Sequence, residues 1–198
     1  MARAISKVTD SKDKFNTYKN YMDKYSKAIQ YECFLEAIAI DYAMLEDRLL
    51  ALLHYMGVIS RGHDKITVNK FCRAQIRELL GRKPNAQLGV TNISGKISIT
   101  RALLSINADE KDKYLSTVNT YLEKRISKQE LRETLEEIEK WCHIRNEYIH
   151  ALLNKNYESA QEGISEYADM GLKLARKVDS CVKKIKKNNN IRKSFNIQ

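Results

Sequence analysis

The segment Trp141-Cys142-His143-Ile144-Arg145-Asn146-Glu147-Tyr148-Ile149-His150-Ala151-Leu152-Leu153 decides how the chain is read. Upstream of it, Leu131, Leu135, Ile138 and Cys142 step by four, three and four residues, which is the spacing of one buried helical face. Ile149 and Leu153 continue that face. Arg145 falls on the same stripe, seven residues past Ile138. An unpaired buried charge costs too much to keep, so this guanidinium must be paired or must reach water along its aliphatic stem. Asn146 and His150 lie four apart on the flank of the stripe, which places the amide to hold the imidazole in one orientation. Ser127 and Glu130 form a capping-box pattern that starts the helix, and its expected end is near Leu153, before Asn154-Lys155-Asn156.

Beyond this helix, Ile164, Tyr167, Leu174, Val178, Cys181 and Ile185 repeat at helical spacing, with Met170 or Gly171 between them. They predict a last helix from about Ser159 to Lys187 that returns as the second arm of an αα-hairpin. Near the start of the chain, Asp10 or Ser11 is placed to cap a packing helix with Phe15, Tyr18, Met22 and Tyr25 on one side. Tyr18, Tyr21, Tyr25 and Tyr31 have the look of base-stacking residues, but their spacing of three and four, with one longer step, is first that of a buried aromatic face. From about Ala28 to Met56 the stripe Cys33, Ile38, Ala39, Tyr42, Leu45, Leu49, Leu52 and Leu53 reads as the first long core helix, ended by Gly57. Among its acids, Asp41 and Glu46 are the candidates to face Arg145 across the bundle and hold it by a charge-assisted hydrogen bond.

The stretch of about 57–127 is punctuated by Gly57, Gly62, Gly81, Pro84, Gly89 and Gly95. It reads as a short-helix insertion: a helix over Val68 to Leu80, a loop over Asn85 to Gly95, then helices near Ser98 to Ile106 and Lys111 to Glu123. Its basic residues Arg73, Arg77, Arg82, Lys83, Lys96 and Arg101 are candidates for a substrate-selecting element over the site. Few glycines, one proline and long runs rich in Leu, Ala, Lys, Glu and Ile exclude an all-β chain. The expected fold is all-α, an antiparallel helical bundle, with one domain over residues 1–187 and a flexible basic tail over 188–198.

No run of about 18 apolar residues is present to cross a bilayer, and residues 1–14 lack the apolar core of a signal peptide. A cytoplasmic protein with no membrane partner is expected. Cys33, Cys72, Cys142 and Cys181 are widely spaced, which fits reduced thiols in helices. The formal net charge of +10 favours an anionic partner, RNA foremost. Part of the excess sits in Lys183-Lys184-Ile185-Lys186-Lys187 and Arg192-Lys193, where a solvated helix end and a tail account for it equally well.

Arg145-Asn146 followed by His150, late in the chain and on a helix of an all-helical protein, resembles the Rx4–6H signature of the HEPN superfamily, many of whose members are metal-independent ribonucleases. The resemblance implies catalytic roles for Arg145 and His150 and a supporting polar role for Asn146. It also implies a composite site made across a homodimer, and it allows a toxin or antiviral defence role with an inhibitory antitoxin or regulatory partner. Some members carry a Tyr two residues after the His. Leu152 stands there in this chain and points away from the nucleotidyl-transfer-regulated toxin branch. Asp41, Glu46 and Tyr148 complete the set of supporting candidates. A second pair, Arg48 and His54, has five residues between its members, but Leu49-Leu50 follow the Arg and it reads as a by-product of an amphipathic helix.

RNA supplies its own nucleophile, the 2′-OH, so cleavage to a 2′,3′-cyclic phosphate needs only proton transfer and charge stabilisation at phosphorus, with no metal and no cofactor. His150 suits the proton transfer and the planar fork of Arg145 suits the phosphoryl oxygens. On one helix five residues separate them by about 140° and about 7.5 Å, and one His is poorly placed to be both base and acid. Two facing motif helices in a twofold dimer ease both problems. The rival enzyme reading takes Glu147-x-x-His150 as half of a two-metal site, or His143, Glu147 and His150 as holding one ion. The rival outside the enzymes is a helical RNA-binding or protein-interaction module.

Overall fold

Apolar residues at helical spacing, interrupted by short polar loops, fold into eight α-helices and one small hairpin in the computed structural model, which describes residues 11–61, 66–151, 163–187 and 191–195. In chain order these are α1 (Ser11–Gln30), α2 (Phe34–Tyr55), β1 (Ile59–Arg61), β2 (Ile66–Val68), α3 (Arg73–Leu79) after a 3₁₀ turn over Lys70–Cys72, and α4 (Ile93–Leu104). α5 (Lys113–Glu123), α6 (Lys128–Ala151), α7 (Ile164–Lys186) and the short α8 (Ile191–Ser194) complete the order. The all-α expectation holds, with a two-stranded hairpin added.

α2 is the central helix. It buries Ala37, Ile38, Ile40, Asp41, Leu45, Leu49, Ala51, Leu52 and Leu53, and is flanked by α1, α4 and α7. Cross-helix contacts fix the directions. Asp41 lies against Gly171 and Arg48 reaches Asp179, so α2 and α7 run the same way. Trp141 donates to the Tyr167 carbonyl and Lys177 pairs with Glu137, so α6 runs against α7. Lys14 and Tyr18 meet Asp47 while Tyr25 meets Asp169, so α1 runs against α2. The end of α6 that carries the motif therefore lies at the same end of the bundle as the starts of α2 and α7.

At Gly171, α7 comes close against both α2 and α6. A Cβ there would sit 2.6 Å from Trp141 Cζ2 and 2.8 Å from Asp41 Oδ2. Only a residue without a side chain lets α7 come this close to α2 and α6.

Three helix ends close in the same way. At Gly57 (φ 76°) and Gly81 (φ 61°) the paired bonds from Gly57 N and Val58 N, and from Gly81 N and Arg82 N, return to the preceding turn. At the end of α1 the same left-handed position is held by Glu32 (φ 56°), with Glu32 N bonded to the Ile29 carbonyl and Cys33 N to that of Ala28. This corrects the expectation of one helix from about Ala28 to Met56. The chain turns at residues 31–33, where no glycine signals it, and Cys33 is exposed.

The hairpin is a second correction. Ile59, Ser60 and Arg61 pair with Val68, Thr67 and Ile66, so the helix expected from Val68 begins instead at Arg73. β-Branched residues on both arms favour the extended form. The stretch of about 57–127 carries short helices, as expected. Ile97, Ile99, Leu103 and Leu104 of α4, with Val118 and Leu122 of α5, belong to the same core cluster as α2, α6 and α7. It is part of the body of the bundle. The tail expectation gives way over residues 191–195: Ile191 is buried, Phe195 stacks on Phe71 at 5.6 Å, and Arg192 donates to the carbonyls of His54 and Ile59.

Along α1, Tyr25 is buried and Tyr18 bonds Asp47, whereas Phe15 and Tyr21, and Tyr31 in the turn that follows, are exposed, so the expected aromatic face is inward at only part of its positions. All four cysteines are free thiols. No helix among the described residues is long and apolar enough to cross a membrane.

Gly171→Ala is expected to destabilise the protein by about 3 kcal/mol, an overpacking cost, seen as a fall in Tm of roughly 6–12 °C. Glu32→Gly is expected to act in the opposite direction, raising stability by up to about 1 kcal/mol because glycine adopts the left-handed conformation without a Cβ penalty. Thermal unfolding of the two variants against wild type checks both signs.

Candidate functional site

The Ser127 hydroxyl accepts from Glu130 N at 3.2 Å and starts α6 where the capping pattern places it. Leu131, Leu135, Ile138 and Trp141 are then buried in succession. Past Trp141 the face changes. Cys142, Arg145 and Tyr148 are half-buried, and His143, Asn146, Glu147 and His150 are exposed. Ile144 and Ile149 are each 38% exposed, so the buried stripe expected to continue through Ile149 stops short of it. Leu152, Leu153 and the expected end of the motif helix lie outside the described residues.

Arg145 lies on the face of Tyr42, its Cζ 4.2 Å from the ring centre. Its Nη1 donates to the Asn146 side-chain oxygen at 3.0 Å. Its Nε is buried without a hydrogen-bond partner, and among the described residues no carboxylate comes within ion-pair distance of this guanidinium. The amide of Asn146 is therefore engaged by Arg145, where the sequence pattern assigned it to His150. His150 stands on the exposed side of the last turns of α6, five residues on.

The two carboxylates expected to hold Arg145 are elsewhere. Glu46 pairs at 2.7 Å with Lys96, whose side chain is almost wholly buried. Asp41 is fully buried at the Gly171 crossing, with both carboxylate oxygens unpartnered. Burial pushes its carboxyl up to about 8, with the nearby Asp169 charge adding to the rise and Arg176 opposing it. It is thus a neutral acid packed in the core through most of the physiological range. A ring face took the place predicted for a carboxylate.

Tyr148 meets Tyr167 at 5.3 Å and 48°, and Tyr167 stacks flat on Trp141 at 5.2 Å. This aromatic column ties the motif end of α6 to α7. The Tyr167 hydroxyl is buried and makes no hydrogen bond of ordinary geometry. Burial raises its pKa, while the Arg145 backbone and charge nearby draw it down. Burial likewise pushes the Cys142 thiol up to about 11, opposed by Arg145, so it is a packing thiol.

The basic residues of the 57–127 stretch are mostly spent inside the fold. Arg73, Arg77 and Arg82 donate to the carbonyls of Val68, Ala86 and Gln87. Lys96 takes Glu46 and Arg101 takes Glu139. Arg82 and Lys83 are exposed. Arg48, of the second Arg/His pair, is neutralised by Asp47 and by Asp179 at 2.8 Å, and His54 Nδ1 lies 3.2 Å from Arg192. That pair is structural. His143 lies 3.6 Å from Glu147, both well exposed, and among the described residues no three His, Cys, Asp or Glu side chains converge to hold a metal ion.

The chain matches no family model, no curated protein and no solved structure.

Tyr42 and Tyr167 are the residues that sequence spacing did not single out as site residues. Tyr42 appeared only as a core position, and nothing within its own helix marks it as the partner of an arginine about a hundred residues away. Asp41 gives a direct test of this arrangement. Its folded-state pKa lies above its unfolded value, so its contribution is complete at low pH and is lost as pH rises toward 8. Relative to Asp41→Asn, wild type is expected to lose roughly 1.4 kcal/mol of stability per pH unit across this window. Urea unfolding at pH 5, 6.5 and 8 checks it; parallel profiles for the two proteins would contradict a neutral buried acid.

Proposed function

We infer that the chain is a metal-independent endoribonuclease of the HEPN type, with Arg145 and His150 as its catalytic pair and Asn146 in support. One observation carries this reading: Arg145 is a half-buried arginine held by a ring and a neutral amide, with its positive charge left uncompensated. The contrast with Arg48 is direct, since two aspartates neutralise that guanidinium. A cation retained in this way attracts an anion, and a phosphodiester is the anion that a protein of net charge +10 meets with the greatest gain from counterion release.

In the proposed reaction the RNA 2′-oxygen attacks the adjacent phosphorus and the 5′-oxygen leaves, giving a 2′,3′-cyclic phosphate and a 5′-hydroxyl. His150 transfers a proton at one of these oxygens, and Arg145 stabilises the extra negative charge on the non-bridging oxygens. Asn146 orients the guanidinium. A second copy of the motif supplies the opposite proton transfer, so the working unit is a homodimer. Ile144 and Ile149, apolar side chains on the outside of the protomer beside the motif, support a partner surface there. A cytoplasmic toxin or antiviral effector restrained by a partner protein fits this activity.

The second reading is an RNA-binding or protein-interaction module without cleavage. It is favoured by the bond from Arg145 to the Asn146 side-chain oxygen, where His150 was the expected partner of that amide. In that case Arg145 binds phosphate and His150 has no chemical role.

Purified protein is expected to cut end-labelled single-stranded RNA in excess EDTA, to leave 2′,3′-cyclic phosphate ends, and to spare DNA of the same sequence. His150→Ala should lower the rate by about 10²-fold or more, and Arg145→Lys by about 10²- to 10³-fold, with both variants folded. Sedimentation should give a dimer at the assay concentration. RNA binding without cleavage by a folded dimer would move the assignment to the module, and cleavage indifferent to both substitutions would place the site elsewhere.

A further inference from the structure

A guanidinium has two ways of being held in a half-buried position. A carboxylate grips it in plane, consuming two N–H donors and cancelling its charge. An aromatic face grips it from above, fixing its plane while leaving the in-plane donors and the charge available. Arg145 is held in the second way, by a residue on α2 that belongs to no motif. Of its in-plane donors, Nη1 goes to Asn146 and Nε is buried, while Nη2 makes no hydrogen bond among the described residues.

Tyr42 is well placed for this task. Its neighbours Asp41 and Leu45 are fully buried, so the backbone that carries the ring is fixed in the core. Asp41 itself packs against Gly171, which Trp141 also approaches. Burial raises the Tyr42 phenol above its ordinary range, with Glu46 and Cys142 adding to the rise and Arg145 opposing it, so the ring is neutral when it meets the cation.

We propose that Tyr42 is a positioning residue for the ribonuclease reaction inferred above: its ring face sets the plane of Arg145, so that Nη2 is presented to a phosphoryl oxygen with the full charge retained. The role belongs to the ring, and the hydroxyl is dispensable. The inference rests on the ribonuclease reading for its catalytic consequence and on the stack alone for its structural part.

The test compares wild type, Tyr42→Phe, Tyr42→Leu, Arg145→Ala and the Tyr42→Leu/Arg145→Ala double variant, with Tyr42→Met as a second ring-free variant in case Leu fails to fold. In the RNA cleavage assay Tyr42→Phe is expected to match wild type. Tyr42→Leu and Tyr42→Met should lose about ten- to a hundredfold in kcat with a smaller change in KM. Wild-type kcat in the ring-free variants, or equal loss in Tyr42→Phe, overturns the proposal. In urea unfolding, Tyr42→Leu and Arg145→Ala are expected to be non-additive, by about two- to fivefold in the unfolding equilibrium constant. Additivity overturns the stack itself. If wild-type protein cuts no RNA, the ribonuclease reading fails, the catalytic role of Tyr42 fails with it, and the unfolding cycle still decides whether the ring holds the guanidinium.

Discussion

The contact at Gly171 governs the rest of the molecule. With no side chain at this position, α7 closes on Asp41 of α2 and Trp141 of α6 at distances that no Cβ could share. Three helices are thereby locked in one layer at one level of the bundle. The stack of Trp141 on Tyr167, the contact of Tyr148 with Tyr167 and the stack of Arg145 on Tyr42 all lie within two turns of it. A larger residue at 171 would separate the helices and loosen every one of these contacts. The cost of the arrangement is a buried acid with no partner, Asp41, which the fold carries as the neutral form.

Charge is distributed by the same logic of burial. Several partly buried cations are neutralised by acids: Lys14 by Asp47 and Lys96 by Glu46 across helices, and Arg48 by its neighbour Asp47 and by Asp179 of α7. Others give their donors to loop carbonyls. Arg145 departs from this pattern, since a ring and an amide hold it and neither removes its charge. Two arginines with histidines a few residues beyond them are thus separated by their surroundings, one spent on the fold and one left with charge to offer.

The half of α6 beyond Trp141 is built differently from the half before it. Up to Trp141 it is an ordinary core helix. Beyond, it stands partly clear of the bundle, with polar motif residues and two isoleucines outward and an aromatic column inward. Rigid support behind and an open face in front is the arrangement a site needs if its side chains are to hold their geometry while meeting another molecule.

Most of the helices, the Ser127 cap and the positions of Arg145, Asn146 and His150 on α6 were legible in the sequence, because each rests on interactions between residues three to five apart, and the antiparallel packing of α6 on α7 followed from their two apolar stripes. The turn at Glu32 was not, since it lacks the glycine that usually marks a left-handed helix end. The hairpin was hidden in a segment whose apolar residues also fit a helical period. The partner of Arg145 was beyond any local reading. Sequence chemistry called for a carboxylate, and Asp41 and Glu46 were available; the crossing at Gly171 turned Asp41 into the core, Lys96 claimed Glu46, and Tyr42 between them met the arginine. The sequence alone determined which residues form most of the helices and that a cation falls on a core stripe. Only the tertiary structure decided what holds that cation, because the choice depends on how closely three helices pack, a distance set by residues far apart in the chain.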